Sequence, residues 1–135
     1  MKPTLILIIL SLIFSEAYSQ NKKKVRENNV KTKIEWQYTY KDGVEIKYKE
    51  CEYVFDEEGN IIVEKIYDEK GNIIKHVEFT YDKEDNLIRE ITYNPNNQIL
   101  KKEEYIYQGN LKTEKKVYGP DGKLKNRKIY EYTKY

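Results

Sequence analysis

The chain is predicted to be all-β: an eight-strand antiparallel meander of hairpin repeats, mostly a single-layer twisted sheet, following an N-terminal signal peptide. Three observations carry that prediction. The phrase Tyr-Asp-x-x-Gly-Asn-Ile at positions 67–73 is echoed along the chain, with the leading aromatic at Tyr40, Phe55, Tyr67, Tyr81, Tyr93, Tyr107, Tyr118 and Tyr132. Successive intervals are 15, 12, 14, 12, 14, 11 and 14 residues, and self-similarity at a near-fixed period marks a repeat architecture. Turn residues separate every pair of apolar-aromatic runs, and no segment keeps a 3.6-residue period, so no helix is expected.

The first residues read as an export signal. Met1 and Lys2 precede the apolar run Leu5 to Leu10, continued by Leu12, Ile13 and Phe14, and small residues Ala17 and Ser19 stand at the two cleavage positions. The run is too short for the roughly 20 residues of a spanning helix. Residues 1–19 are therefore expected to be removed, with a basic segment at 20–30 and one repeat domain at 31–135. No transmembrane segment is expected in the mature chain.

The strands are expected at about 31–41, 44–55, 61–67, 73–81, 87–93, 99–108, 111–118 and 124–133. Between the first two, Asp42-Gly43 is a two-residue loop of the primed type, as is Gly109-Asn110 between the sixth and seventh. The other five loops share one stereochemical rule, a type I turn followed by a left-handed residue. Gly59, Gly71 and Gly122 take that residue in three loops. Asp85 and Asn97 take it in the other two, being the types that best tolerate positive φ. Pro95 and Pro120 occupy the first loop position, where φ near −65° is required. From one three-residue loop to the next the offset is even, as from Ile61 to Tyr67 and from Ile73 to Tyr81, so the leading aromatics are expected to share one face. That face would also carry Lys65, Lys75, Arg89 and Lys101 mid-strand. Neither face then reads as a clean apolar core, which disfavours a two-sheet sandwich. Long Lys stems lying across Tyr rings would cover the sheet while their ammonium groups stay wet. Closure into a small rolled barrel is the alternative, because it removes both edges.

Charged residues make up 36% of the chain against the usual quarter, yet 13% aromatics argue against disorder. The charge is segregated. Residues 20–41 carry seven Lys/Arg against two acids, residues 42–100 seven against fifteen, and residues 101–135 ten against five. The single Cys51 forms no internal disulfide, so the fold holds without a covalent staple.

Aromatic-Asp-x-x-(Gly/Asp)-Asn-(Ile/Leu) at Phe55–Ile61, Tyr67–Ile73 and Tyr81–Leu87 resembles the YD repeats of the Rhs type and, more loosely, the MORN-like repeats of the YwqK antitoxin family. The likeness covers about residues 50–135. It implies extended β-sheet and a structural, adhesive or immunity role. The shared residues are those a turn demands, so the motif speaks for architecture more than function.

Candidate chemistry is sparse. Beyond Ser19 there is no Ser, and the only Cys and His, Cys51 and His76, are expected on opposite faces, so no catalytic residues are assigned. One Cys and one His cannot build a zinc site. The loop acids Asp56, Glu57, Glu58, Asp68, Glu69, Asp82, Glu84 and Asp85 match no calcium-loop spacing. No cofactor or metal is expected. The binding candidate is the aromatic and basic face, represented by Tyr67, Tyr81, Tyr93, Lys65, Lys75, Arg89 and Lys101. The expected function is an exported, non-catalytic interaction module of the periplasm, cell surface or exterior. Its partner would be a protein or a surface glycan, with self-association through edge strands as a further outcome and no nucleic acid. A binder of acidic glycan or envelope component and an immunity protein are the alternatives.

Overall fold

The computed structural model describes residues 21–135; the expected signal segment and Gln20 lie outside the described residues. Eight strands form one open antiparallel sheet in chain order: β1 (Thr32–Lys41), β2 (Val44–Phe55), β3 (Ile61–Tyr67), β4 (Ile73–Tyr81), β5 (Leu87–Tyr93), β6 (Ile99–Gln108), β7 (Leu111–Tyr118) and β8 (Leu124–Ile129). The sheet does not close into a barrel, and β1 and β8 remain its two edges. β8 ends before the expected residue 133, although the Tyr130 N–H still donates to Thr113 O.

The loops obey the expected stereochemistry. Gly59, Gly71, Asp85, Asn97 and Gly122 have φ of 83, 83, 69, 61 and 72°. In each loop the N–H of that residue donates to the carbonyl three residues back, as Gly71 does to Asp68 and Asn97 to Asn94. Asp42 and Gly43 both have positive φ, as a type I′ turn requires, whereas at the second short loop Gly109 alone does, as in type II′. The Asp and Asn of the repeated phrase are partners. The Asp68 carboxylate accepts from the Lys70 and Asn72 N–H groups and from the Asn72 amide, and Asp82 with Asn86 repeats the arrangement. The motif is thus a side-chain-capped turn.

One expectation is overturned. After every three-residue loop the pairing slips by one residue: Phe55 pairs Ile61 but Val54 pairs Val63, leaving Ile62 bulged, and Ile74, Ile88, Leu100 and Lys125 are bulged in the same way. A bulge breaks the period-2 alternation, so an even offset across it joins opposite faces. Tyr67 and Tyr81 therefore project from opposite sides of the sheet. Phe55, Tyr81 and Tyr107 share one side, here called face A; Tyr67, Tyr93 and Tyr118 share the other, face B. Side-chain contacts agree. The Tyr67 hydroxyl donates to Glu52 and that of Tyr93 to Glu78, both on face B, whereas Tyr81 and Tyr107 donate to the carbonyls of Ile61 and Leu87.

A second difference is a short helix, α1, at residues 21–27. It is too short for a period to be read. It ends in a capping motif: Asn29 has φ 50°, its N–H donates to Arg26 O, and the Val30 N–H donates to Val25 O. Val25, only 6% exposed, anchors α1 on the sheet. The apolar interior is small and lies mainly on face A, where Cys51, Phe55, Val77 and Tyr105 are buried.

Candidate binding surfaces

The predicted binding residues do not form one surface. Register places Tyr81, Lys75 and Lys101 on face A, and Tyr67, Tyr93, Lys65 and Arg89 on face B. Lys75 is paired with Glu64 at 2.7 Å and Lys101 with Glu103 at 3.4 Å, while Arg89 donates to the Thr80 hydroxyl. Cys51 on face A and His76 on face B are separated by the sheet itself.

Face A carries a groove of about 540 Å³, lined by Tyr53, Phe55, Ile61, Phe79, Tyr81 and Leu87. Its volume falls in the range of ligand sites. Lys33, Glu35 and Glu64 line it as well, as does Asn21 at the start of α1. The helix is held there by polar contacts as well as Val25. Lys22 donates to Asp85, whose other oxygen accepts from the Asn60 amide, and Asn60, 2% exposed, also donates to Asp56. The Lys22 ammonium, and then the Asn60 amide, hold the Asp85 carboxyl below its usual range. Burial, and then a hydrogen bond with Cys51, push the Tyr53 phenol up, so it stays neutral in the groove. Burial likewise raises the Cys51 thiol, a packed side chain of face A.

Farther along face A, buried Glu103 is ringed by Lys115 at 2.8 Å, Lys101 and the Tyr105 hydroxyl at 3.1 Å. Burial alone would raise its pKa. The hydrogen bond from Lys115 and the charges of Lys101 and Lys115 overcome that, and the carboxyl sits below its usual value.

Face B repeats one cluster three times. Lys49 lies 4.2 Å from the Tyr67 ring and bonds Glu52, which also accepts from Tyr67. His76 stacks on Tyr93 at 4.7 Å beside Glu78, and Lys102 sits 4.3 Å from Tyr118 while bonding Glu104. The hydrogen bond from Lys49, then that from Tyr67, lowers the Glu52 pKa; Lys102 does the same for Glu104. The two Lys–Tyr contacts contribute about 0.5–1 kcal/mol each at exposed sites.

These clusters escape a reading based on single hairpins. Their signal is a 26-residue period: Glu52, Glu78 and Glu104; Tyr53, Phe79 and Tyr105; Phe55, Tyr81 and Tyr107. Two hairpins, one face each, make the true repeat, which is why the shorter intervals alternate between 12 and 14.

The aspartates of the loop acids are largely occupied as turn caps, and among the described residues no group of three or more His, Cys, Asp or Glu is placed to hold a metal ion. Among the described residues no helix is long and apolar enough to cross a membrane. No family model matches the chain, and no curated protein or solved structure matches it.

Proposed function

We propose that the chain is an exported, non-catalytic interaction module that receives apolar side chains of a partner protein in the groove of face A. The observation that carries this reading is the groove itself: four aromatic rings and two aliphatic side chains gathered on one face of the sheet, beside the ionic side chains of Lys33, Glu35 and Glu64. A concave apolar site with few polar groups is the usual form of a binding site. The MORN-like and YD-type resemblance fits such a structural role and assigns no substrate. The acidic-glycan reading loses ground, because its cations are divided between two faces and two of them are already matched by Glu64 and Glu103.

The test is a displayed-peptide selection against the chain, followed by titration of the enriched peptides into the Phe79→Lys and Leu87→Lys variants. Enriched peptides should carry aromatic or branched aliphatic residues and lose at least about tenfold in affinity to either variant, the equivalent of about 1.4 kcal/mol. Binding indifferent to both substitutions would refute the groove. Export is tested separately by fusing residues 1–19 to a reporter active only outside the cytoplasm; an inactive fusion would remove that part of the reading.

A further inference from the structure

We propose that the outer edge of β1 is a strand-addition site for an extended, largely apolar peptide of a partner that brings a glutamate opposite Tyr38 and becomes a ninth strand of the sheet. The site is separate from the groove of face A, so either can fail alone.

The hydrogen-bond phase of β1 is fixed from both ends. The Phe55 N–H donates to Lys31 O, and the two-residue loop closes on the pair Lys41 and Val44. Odd residues of β1 therefore bond inward to β2, and the N–H and C=O groups of Thr32, Ile34, Trp36, Tyr38 and Tyr40 face the open edge. The side chains of these same residues lie on face B. Ile34, Trp36, Tyr38 and Tyr40 are 45, 51, 46 and 70% exposed, an apolar stripe alongside a backbone edge that is unpaired among the described residues.

The opposite edge is different. β8 is shorter, exposed throughout, and carries Lys125, Arg127 and Lys128 with no acid, the composition that blunts an edge against pairing. A second copy joining β8 to β1 would put Lys128 of one copy on the face that carries Lys33 and Lys41 of the other. Like charges facing across a ladder oppose pairing.

The repeat identifies what β1 lacks. In β3, β5 and β7 the terminal aromatics Tyr67, Tyr93 and Tyr118 each approach a glutamate of the preceding strand, Glu52, Glu78 and Glu104. Each glutamate is paired with the residue two before the Tyr: Lys65, Ile91 and Lys116. Among the described residues no strand precedes β1, and Tyr40 turns its hydroxyl back to Glu45 at 2.6 Å. The same register puts the missing carboxylate opposite Tyr38. There Lys47 waits, 5.3 Å from the Tyr38 ring and 4.7 Å from Trp36, with no carboxylate partner among the described residues. Main-chain pairing would supply affinity, and the stripe with Lys47 would choose an apolar and acidic sequence.

The probe is a synthetic peptide of the β4 sequence Ile73–Tyr81, N-methylated along one edge to prevent self-stacking, and its Glu78→Lys counterpart. Trp36 is the only Trp of the chain and reports directly from the site. The native peptide should shift Trp36 emission to the blue, protect the Ile34, Trp36 and Tyr38 amides from exchange, and bind at least about tenfold more tightly than its Lys form. Ile34→Pro, which removes one outward N–H, should weaken binding at least about tenfold. Should that variant fail to fold, Lys47→Glu carries the test, since it should invert the preference between the two peptides. Equal binding of both peptides, binding without amide protection, or no binding up to about 1 mM overturns the proposal. So does a concentration-dependent dimer that protects these amides, or shielding of Trp36 by polygalacturonate where the peptide gives none.

Discussion

Gly59 and Gly71 occupy the same turn position with the same φ of +83°, yet a Cβ would meet nothing within 4 Å at Gly71, whereas at Gly59 it would lie 2.6 Å from Lys22 O and 3.3 Å from Arg26 N. Alanine at either position costs the left-handed conformation, about 1–2 kcal/mol. Only at Gly59 must α1 also retreat, because both close atoms are helix backbone. Burying a Val contributes about 1.5–3 kcal/mol, and a partial retreat of Val25 with strain on Lys22–Asp85 sets the excess at about 1–2 kcal/mol. At a urea dependence of about 1–2 kcal/mol per M for a domain of this size, Gly59→Ala should unfold about 1 M earlier than Gly71→Ala. Urea titrations followed by Trp36 fluorescence and far-UV circular dichroism measure the difference. In a chain starting at residue 29 the two variants should unfold together. Equal midpoints in the longer chain would refute the docking of α1 on the β2–β3 loop.

Glu103→Gln should destabilise the chain by about 2 kcal/mol, since it strips a buried carboxylate from Lys115, Lys101 and Tyr105; a urea midpoint within error of the parent would contradict that. Tyr81→Phe and Tyr107→Phe should each cost about 1 kcal/mol by orphaning the carbonyls of Ile61 and Leu87, with no loss at either site arguing against face A placement. The Asp85 carboxyl is held below its ordinary value near 3.8, so its contribution is present above that pH and is lost as pH falls through the lower folded value. Lys22 should release Asp85 and α1 should loosen in that acid window. The Val25 methyl resonance followed against pH should show the step, and Asp85→Asn should abolish it; persistence of the step in that variant would assign it elsewhere.

Strand positions were legible because loop stereochemistry leaves few choices: seven loops, each with Gly, Asn or Asp where φ is positive, delimit eight strands to within a residue at almost every end. The faces were not. Ile62, Ile74, Ile88 and Leu100 carry no mark of a bulge, since a bulged residue near the right-handed helical region needs no Gly, and counting by twos then joins Tyr67 to Tyr81 wrongly. The 26-residue spacing of Glu52, Glu78 and Glu104 held the correction. Helix α1 escaped because seven residues show no period, though Asn28-Asn29 is a fitting stop signal. Of the candidate site, the aromatic character was readable and the partition between faces was not. The groove needs Tyr53, Phe79 and Tyr81 brought together across strands by registers that the bulges set.

The alternation of faces is tested most directly by nuclear Overhauser contacts between assigned aromatic rings and their neighbours. The Tyr67 ring should show contacts to Lys49 and Glu52 side chains, and the Tyr81 ring to Ile61. Contacts from both Tyr67 and Tyr81 to a common set of side chains on one face would contradict it.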